Sequence, residues 1–149
     1  MNEFNKKILK NGLTVLHEKR KGKVVSIFSA VNYGSSYEPQ KLKGIAHLLE
    51  HLVFKGTKKR NQKEISKSIE NVGGKLNAFT AEEITAYYAV LPLKHFKIGA
   101  EITSELITSP TLPKKELKKE KKMVWEEAEM YHDNPLRGIF EDLKKNLFK

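Results

Sequence analysis

The spacing of hydrophobic and polar residues divides the chain into short strands and helices. Alternating or β-branched apolar runs predict strands, whereas apolar residues three and four positions apart predict helices. One pair of apolar runs flanks Asn11-Gly12, the dipeptide most typical of a β-hairpin, and another pair is joined by only three residues, 81–83. Each pair is therefore expected to form two antiparallel strands. The predicted strands cover residues 6–10, 13–18, 23–35, 75–80 and 84–92, the third of them buried.

Helix boundaries are marked by capping residues, glycine and proline. Gly56 follows one amphipathic stretch, Asn61 precedes another that Gly73 ends, and Pro92 precedes a third. The predicted helices cover residues 44–55, 62–72, 93–108, 114–132 and 136–148. This order of strands, helices, a strand pair and further helices predicts an α+β fold with a mostly antiparallel sheet packed against helices. The length of 149 residues suits one domain, residues 1–149.

The first predicted helix, residues 44–55, has two distinct faces at about 100° per residue. The apolar face, which is expected to turn toward the core, carries Ile45, Leu48, Leu49, Leu52 and Val53. The opposite face carries His47, Glu50, His51 and Phe54. One interpretation of the second face is the solvent side of an ordinary amphipathic helix. The other is half of a metal site.

The metal interpretation rests on helix geometry. Side chains four residues apart are neighbours on a helix, so His47 and His51 can bind the same ion. The chain has no cysteine, and zinc accepts imidazole and carboxylate ligands, so one zinc ion per chain is expected. Glu50 lies on the same face and is predicted to be a general base that takes a proton from a zinc-bound water.

A catalytic zinc typically has three protein ligands, so one more is needed. The other histidines are each expected to have a structural or surface role: His17, His95 and His132. Two glutamates of the long helix, Glu120 and Glu127, fall in its apolar stripe, where a carboxylate is costly unless it is paired or binds a metal. That stripe consists of Leu117, Val124 and Tyr131. The pattern alone leaves open whether one glutamate binds zinc while the other orients a ligand, or whether a tilt of the helix exposes both.

Composition and charge argue against a nucleic-acid site and against a membrane protein. The net charge is +10, but 25 of the 28 basic residues are lysines, scattered or interleaved with glutamate, so a nucleic-acid site is not expected. No apolar run approaches the roughly 20 residues that span a bilayer, and the N-terminus lacks an apolar signal region. We therefore expect a cytoplasmic protein without a membrane partner. The charge is suited to attracting acidic peptides.

The residues around the histidine pair resemble a known family of zinc peptidases. The run from His47 to His51 is the inverted zinc motif His-x-x-Glu-His. Its surroundings resemble the pitrilysin/insulinase family, most closely the branch of mitochondrial-processing-peptidase-like proteins. The matching segments cover most of residues 11–131: NGLTV, GSSYEP, GIAHLLEHLVFKGT, IENVGGKLNAFTAEEITAYYAVLP and LKKEKKMVWEEAEM.

The resemblance implies which glutamate binds the metal. In this family the third ligand is a glutamate about 76 residues after the second histidine of the motif. Glu127 lies 76 residues after His51 and corresponds to that glutamate. A further family glutamate, seven residues earlier, supports the site and corresponds to Glu120. The resemblance thus selects the same two carboxylates as the stripe on the long helix.

The resemblance also implies where a peptide binds. Family members bind substrate as an extra strand at a sheet edge, beside an Asn-Ala pair that corresponds to Asn77 and Ala78, with Phe79 continuing the strand. Without the resemblance, this segment is interpreted as a plain core strand. Phe54 resembles the family residue that lines the pocket just past the scissile bond, and the alternative for it is ordinary packing.

The implied function is that of a zinc metalloendopeptidase acting on unstructured peptides or presequences. Members of the family usually have two homologous halves that close around the substrate, and this chain matches only the front of the catalytic half. A partial catalytic domain is therefore expected, with a second half subunit or an oligomer as partner. The alternatives are a non-catalytic peptide-binding or assembly subunit of the family, and a basic nucleic-acid-binding domain, which predicts no stoichiometric metal.

Overall fold

The computed structural model describes residues 3–132 and four single positions beyond them, 138, 139, 143 and 146. Apart from those four positions, the helix predicted over 136–148 lies outside the described residues, as does the side chain of His132. Five strands and four α-helices follow one another over residues 3–132. They are β1 (Glu3–Ile8), β2 (Thr14–Lys19), β3 (Val24–Val31), α1 (Ile45–Val53), α2 (Gln62–Glu70), β4 (Lys75–Thr80), β5 (Thr85–Pro92), α3 (Phe96–Thr108) and α4 (Lys114–His132).

The strands form two antiparallel sheets. β1 and β2 pair with Glu3 opposite Lys19, and their tight turn contains Gly12, whose φ of 84° favours glycine. β3, β5 and β4 lie side by side in that order, with β5 in the middle. Both predicted hairpins are present, and the prediction of an α+β fold with antiparallel sheets is confirmed.

The core lies between the three-stranded sheet and helices α1, α2 and α3. Gly99 allows α3 to approach the sheet closely, because a Cβ at this position would lie 2.8 Å from side-chain atoms of both Ile27 and Leu91. The buried residues of the core are Val53, Ile65, Ile69, Tyr87, Ala89, Leu91, Ile102 and Leu106. Val53 belongs to this core, so the C-terminal end of α1 is fixed against the sheet.

The N-terminus of α1 is held by a carboxylate from the preceding loop. Gly44, at the capping position, has a φ of 87° and offers no side chain. Glu38 takes that role: its two carboxylate oxygens accept hydrogen bonds from the backbone N–H groups of Gly44 and Ala46, both at 2.8 Å. Glu38 itself is 6% exposed. Both ends of the histidine-bearing helix are therefore anchored.

The segment after α1 is tied to α3 by a partly buried ion cluster. Thr57 donates a hydrogen bond to Glu105 at 3.1 Å, and Arg60 lies within hydrogen-bond distance of both Glu105 and Glu101. Burial alone raises the pKa of the Glu105 carboxyl, but hydrogen bonds and charge from Arg60 and Lys59 outweigh it and hold that pKa below its ordinary value. The cluster fixes the path of the chain from α1 toward α2.

Three predictions about burial are wrong. β3 is not a buried strand, since it lies at a sheet edge and alternates, leaving Val24 and Phe28 63% and 59% exposed. Leu49 is 37% exposed because the buried side of α1 is centred on Leu48 and Leu52. Leu117 is 40% exposed, so the stripe predicted for α4 does not face inward at this residue, although Glu120 is buried and Val124 and Glu127 are half-buried.

Candidate metal centre

His47 and His51 lie together on the side of α1 that faces α4. Their rings meet edge to face, with centroids 4.8 Å apart, and their side chains are 30% and 21% exposed. Leu48 and Leu52, on the other side of the same helix, are buried. The helix therefore packs with one face and presents two imidazoles with the other, as the two-faced pattern predicted.

Glu127 of α4 approaches both imidazoles. Its Oε2 atom lies 3.7 Å from Nε2 of His47 and 3.6 Å from Nε2 of His51, and the three donor atoms all lie within 4.8 Å of one another. Ligands of a tetrahedral zinc at about 2.0–2.1 Å are roughly 3.4 Å apart, so small side-chain rotations bring these donors to that spacing. Two imidazole nitrogens and a carboxylate oxygen also match the donors that a catalytic zinc prefers. The residues present thus fit a zinc ion.

Glu120 lies behind the metal group, deep in the contact between α1 and α4. It is 1% exposed, and its Oε2 atom lies 3.4 Å from Nδ1 of His51. Its Oε1 atom lies 2.8 Å from Nζ of Lys55. The two groups form an ion pair, but their angle is not that of a hydrogen bond. Nε2 of His51 faces Glu127 while Nδ1 faces Glu120. A carboxylate beside the second nitrogen of a histidine is a common arrangement at metal sites.

Glu50 is half-buried and is not one of the three converging donors. Thr80, at the end of β4, donates a hydrogen bond from its hydroxyl to Oε2 of Glu50. Burial, together with the negative charge of Glu50, raises the pKa of Tyr87 to about 12, so this phenol keeps its proton near neutral pH. Glu50 is therefore a carboxylate held by a neighbouring strand, an arrangement that suits a group that accepts and releases a proton.

The predicted substrate-binding residues lie in a row on β4. Among the described strands, β4 pairs with β5 only and forms one edge of its sheet. Ala78 packs against the core, whereas Asn77 and Phe79 are exposed. The backbone N–H of Ala78 donates a hydrogen bond to Oδ1 of Asn77 at 2.8 Å. The side chain of Asn77 thus occupies a backbone donor of this strand.

A cavity of about 390 Å³ opens beside β4 and α2. It is lined by Phe54, Ser66, Glu70, Gly74, Lys75, Leu76, Asn77, Tyr88 and Val90. The volume lies within the range of small-ligand pockets. The ring of Phe54 also packs against Tyr87, with centroids 5.9 Å apart, so Phe54 contributes both to the core and to the cavity wall.

Sequence reasoning did not identify three of the contacts that build this centre. Glu38 lies in none of the predicted strands or helices. A carboxylate shortly before a helix that has no capping side chain could nevertheless have indicated a cap. The contacts of Thr80 with Glu50 and of Lys55 with Glu120 join residues that are distant in sequence, and no local pattern indicates them.

The remaining histidines take no part in a metal group within the described residues. His17 is exposed on β2, and His95 is half-buried in a short 3-10 turn before α3. None of the helices in the described part of the chain is both long enough and apolar enough to cross a membrane.

Comparison with known proteins agrees with this geometry. Residues 13–149 match the family model described as Insulinase (Peptidase family M16). An uncharacterized zinc protease of Bacillus subtilis (strain 168), YmxG, is 40% identical over 111 residues, which are 74% of this chain and 27% of the relative. The beta subunit of the mitochondrial-processing peptidase of Rattus norvegicus is 36% identical over 141 residues, 95% of this chain and 29% of the relative. The chain thus spans less than a third of the length of these two relatives.

A solved structure gives the same result for the fold. A protease from Helicobacter pylori superposes with a TM-score of 0.87 at 31% sequence identity, over 94% of this chain and 34% of that protein. The family match extends over nearly the whole chain and includes both α1 and α4, which carry the candidate zinc ligands. The chain therefore belongs to the insulinase family of peptidases, peptidase family M16.

Proposed function

We propose that residues 1–149 form the zinc-binding part of a peptidase catalytic domain, and that the protein is a metalloendopeptidase acting on unstructured peptides or presequences. The observation that carries this proposal is the convergence of His47, His51 and Glu127, with Glu50 beside them on the histidine helix. Three protein donors leave room in a tetrahedron for one further ligand, which is the pattern of a catalytic zinc site rather than a structural one.

The chain's own residues supply the proton transfers of the proposed reaction. Zinc, when bound, polarises the scissile carbonyl and makes a nearby water acidic enough to lose a proton near neutral pH. Glu50 accepts that proton as the water attacks the carbonyl, and then delivers it to the departing amine. The hydroxyl of Thr80 holds the Glu50 carboxylate during both transfers. Glu120 holds the imidazole of His51.

The peptide is proposed to lie as an added strand along β4. Its backbone carbonyl would replace the side chain of Asn77 as the acceptor for the N–H of Ala78, and Phe79 would continue the strand contact. Phe54 would meet the side chain just past the scissile bond, in the cavity beside β4. Main-chain hydrogen bonds of this kind give affinity with little sequence preference, which suits unstructured substrates.

A second half subunit, or another copy in an oligomer, is proposed to cover the bound peptide. Support comes from the relative in Rattus norvegicus, which is named as one subunit of its peptidase. The alternative within the same family is a subunit that binds peptide or supports assembly without cleaving.

Zinc content and peptide cleavage, measured together, test the proposed function. The 149-residue chain, Glu50→Gln and the control Glu126→Gln are each loaded with zinc, dialysed and incubated with an unstructured peptide. We expect about one zinc per chain in all three and cleavage by the wild type and the control only, because Glu126 is exposed on α4. A wild type that binds zinc without cleaving favours a missing second half. A wild type that binds no zinc contradicts the metal centre itself.

A further inference from the structure

Lys55, two residues beyond the end of α1, has a largely buried side chain. The side chain is 13% exposed, and Nζ lies 2.8 Å from Oε1 of Glu120. By contrast, the side chain of Lys122 on α4 is 78% exposed. An ammonium group is strongly hydrated in water, so burying one is unfavourable unless a specific partner compensates. Here the partner is a carboxylate that is itself almost fully buried.

Glu120 connects this ammonium group to the metal centre. One carboxylate oxygen lies beside Lys55 and the other lies 3.4 Å from Nδ1 of His51. The carboxylate therefore cannot rotate without losing one of its two partners. Nε2 of His51 is the atom that faces Glu127, and it offers a lone pair only when Nδ1 carries the proton. A fixed acceptor at Nδ1 favours that tautomer.

The charges around the centre also favour a cation beside Glu120. Glu50, Glu120 and Glu127 together carry three negative charges when ionised, and the ammonium of Lys55 is a positive charge 2.8 Å from Glu120. Removing that ammonium leaves the buried carboxylate of Glu120 without this positive partner.

We propose that Lys55 is a positioning residue for the zinc ligands. By pairing with Glu120 it keeps that carboxylate pointed at Nδ1 of His51, which in turn keeps Nε2 free for the metal. The inference rests on the proposed function, since it takes His51 to be a zinc ligand. A purely structural role, in which Lys55 only ties α4 to α1, is the alternative that the experiment must separate.

The test measures the zinc dissociation constant of the full chain by competition with a chelator of known affinity. Lys55→Met keeps most of the length of the side chain and removes its charge, whereas Lys55→Arg keeps the charge. We expect Lys55→Met to weaken zinc binding about tenfold, which is the lower end of the effect seen when groups that orient metal ligands are changed. Lys55→Arg should keep most of the zinc affinity. Lys58→Met, at an exposed lysine nearby, removes the same charge and should change the constant less than about twofold.

A second pair of variants shows whether Lys55 acts through Glu120. In a Glu120→Gln background, Lys55→Met should cause no further loss of zinc affinity, because the carboxylate that it positions is already gone. An equal tenfold loss in that background overturns the proposal. So does a Lys55→Met variant that melts at a lower temperature but binds zinc as tightly as the wild type, which is the result that a purely structural role predicts.

The tautomer of His51 provides a measurement on the unmodified protein. Long-range proton–nitrogen NMR correlations of the metal-free wild type should show the proton on Nδ1, and Lys55→Met should lower that population. A wild type with the proton on Nε2 overturns the proposal even if the variants fail to fold. Zinc binding without peptide cleavage bears on the proposed function alone and leaves this inference standing. Cleavage with an unchanged zinc dissociation constant in Lys55→Met overturns this inference and leaves the proposed function standing.

Discussion

Removing the carboxylate of Glu38 is predicted to loosen the N-terminus of α1 and thereby weaken the metal centre. The two N–H groups that it accepts from, on Gly44 and Ala46, have no capping side chain within the helix, and Ala46 is only 3% exposed. Loss of an N-cap costs about 1 kcal/mol, and leaving a buried donor without an acceptor costs a further 1–3 kcal/mol or so. We therefore expect Glu38→Ala to reduce the free energy of unfolding by about 3 kcal/mol.

Urea unfolding followed by circular dichroism measures this loss, and a thermal scan should show a melting temperature lower by roughly 9 °C. Glu38→Gln keeps one acceptor oxygen and should lose about half as much. The control is Glu83→Ala, at an exposed turn position, which should change stability by less than about 0.5 kcal/mol. His47 lies in the first turn of α1, so zinc affinity should fall in Glu38→Ala as well.

Two outcomes would refute the reasoning about Glu38. A loss in Glu38→Ala no larger than that of the Glu83→Ala control would mean that water replaces the carboxylate at no cost. An unchanged zinc affinity in a clearly destabilised Glu38→Ala would mean that the first turn of α1 does not need its cap to place His47.

Three further predictions follow from close contacts around the centre. Gly34→Ala should cost about 3 kcal/mol in urea unfolding, because its Cβ would lie 2.2 Å from the backbone oxygen of Ala81, and a loss below 1 kcal/mol or so would contradict that contact. Thr80→Val should lower kcat about tenfold with KM and zinc affinity unchanged, and Thr80→Ser, which keeps the hydroxyl, should keep most of kcat. A change confined to KM would argue against a role of Thr80 in holding Glu50. Tyr87 has its pKa raised to about 12, so the folded metal-free protein keeps a proton that the unfolded chain releases above its ordinary pKa of about 10. Stability should then fall by up to about 2 kcal/mol as pH rises from 10 to 12, and Tyr87→Phe, followed by urea unfolding across that range, should lack this decline.

Local sequence signals were sufficient for most of the secondary structure. The hairpin at Asn11-Gly12 and the capping box of α2, in which Asn61 and Glu64 exchange hydrogen bonds, both depend on residues a few positions apart. The two faces of α1 were also visible, because the histidine side and the leucine side follow one helical period. Signals of this kind need no knowledge of what packs against the element.

Burial and long-range contacts were predicted less well, since both depend on elements that are distant in sequence. The leucine at position 49 has the same chemistry as Leu48 and Leu52, yet it is exposed because no described element covers its side of α1. Glu120 was expected in an apolar stripe, and it is indeed buried, but its partners are the side chains of Lys55 and His51. The pairing with Lys55 spans 65 positions of sequence, so only the folded structure shows it.

Polar contacts connect α4 to α1. Over residues 114–130 of α4 only Glu120 is buried, and Trp125 is 66% exposed. The polar contacts of α4 with α1 and the residues just after it include those of Glu120 with His51 and Lys55 and of Glu127 with the imidazoles. A neutral imidazole attracts a carboxylate only weakly, whereas a divalent cation between them attracts both. Bound zinc therefore stabilises the docked position of α4, by an amount that depends on the zinc affinity and the zinc concentration. The residues that would bind the metal are thus also the residues that attach α4, which is why the zinc affinity and the position of this helix are expected to depend on the same side chains.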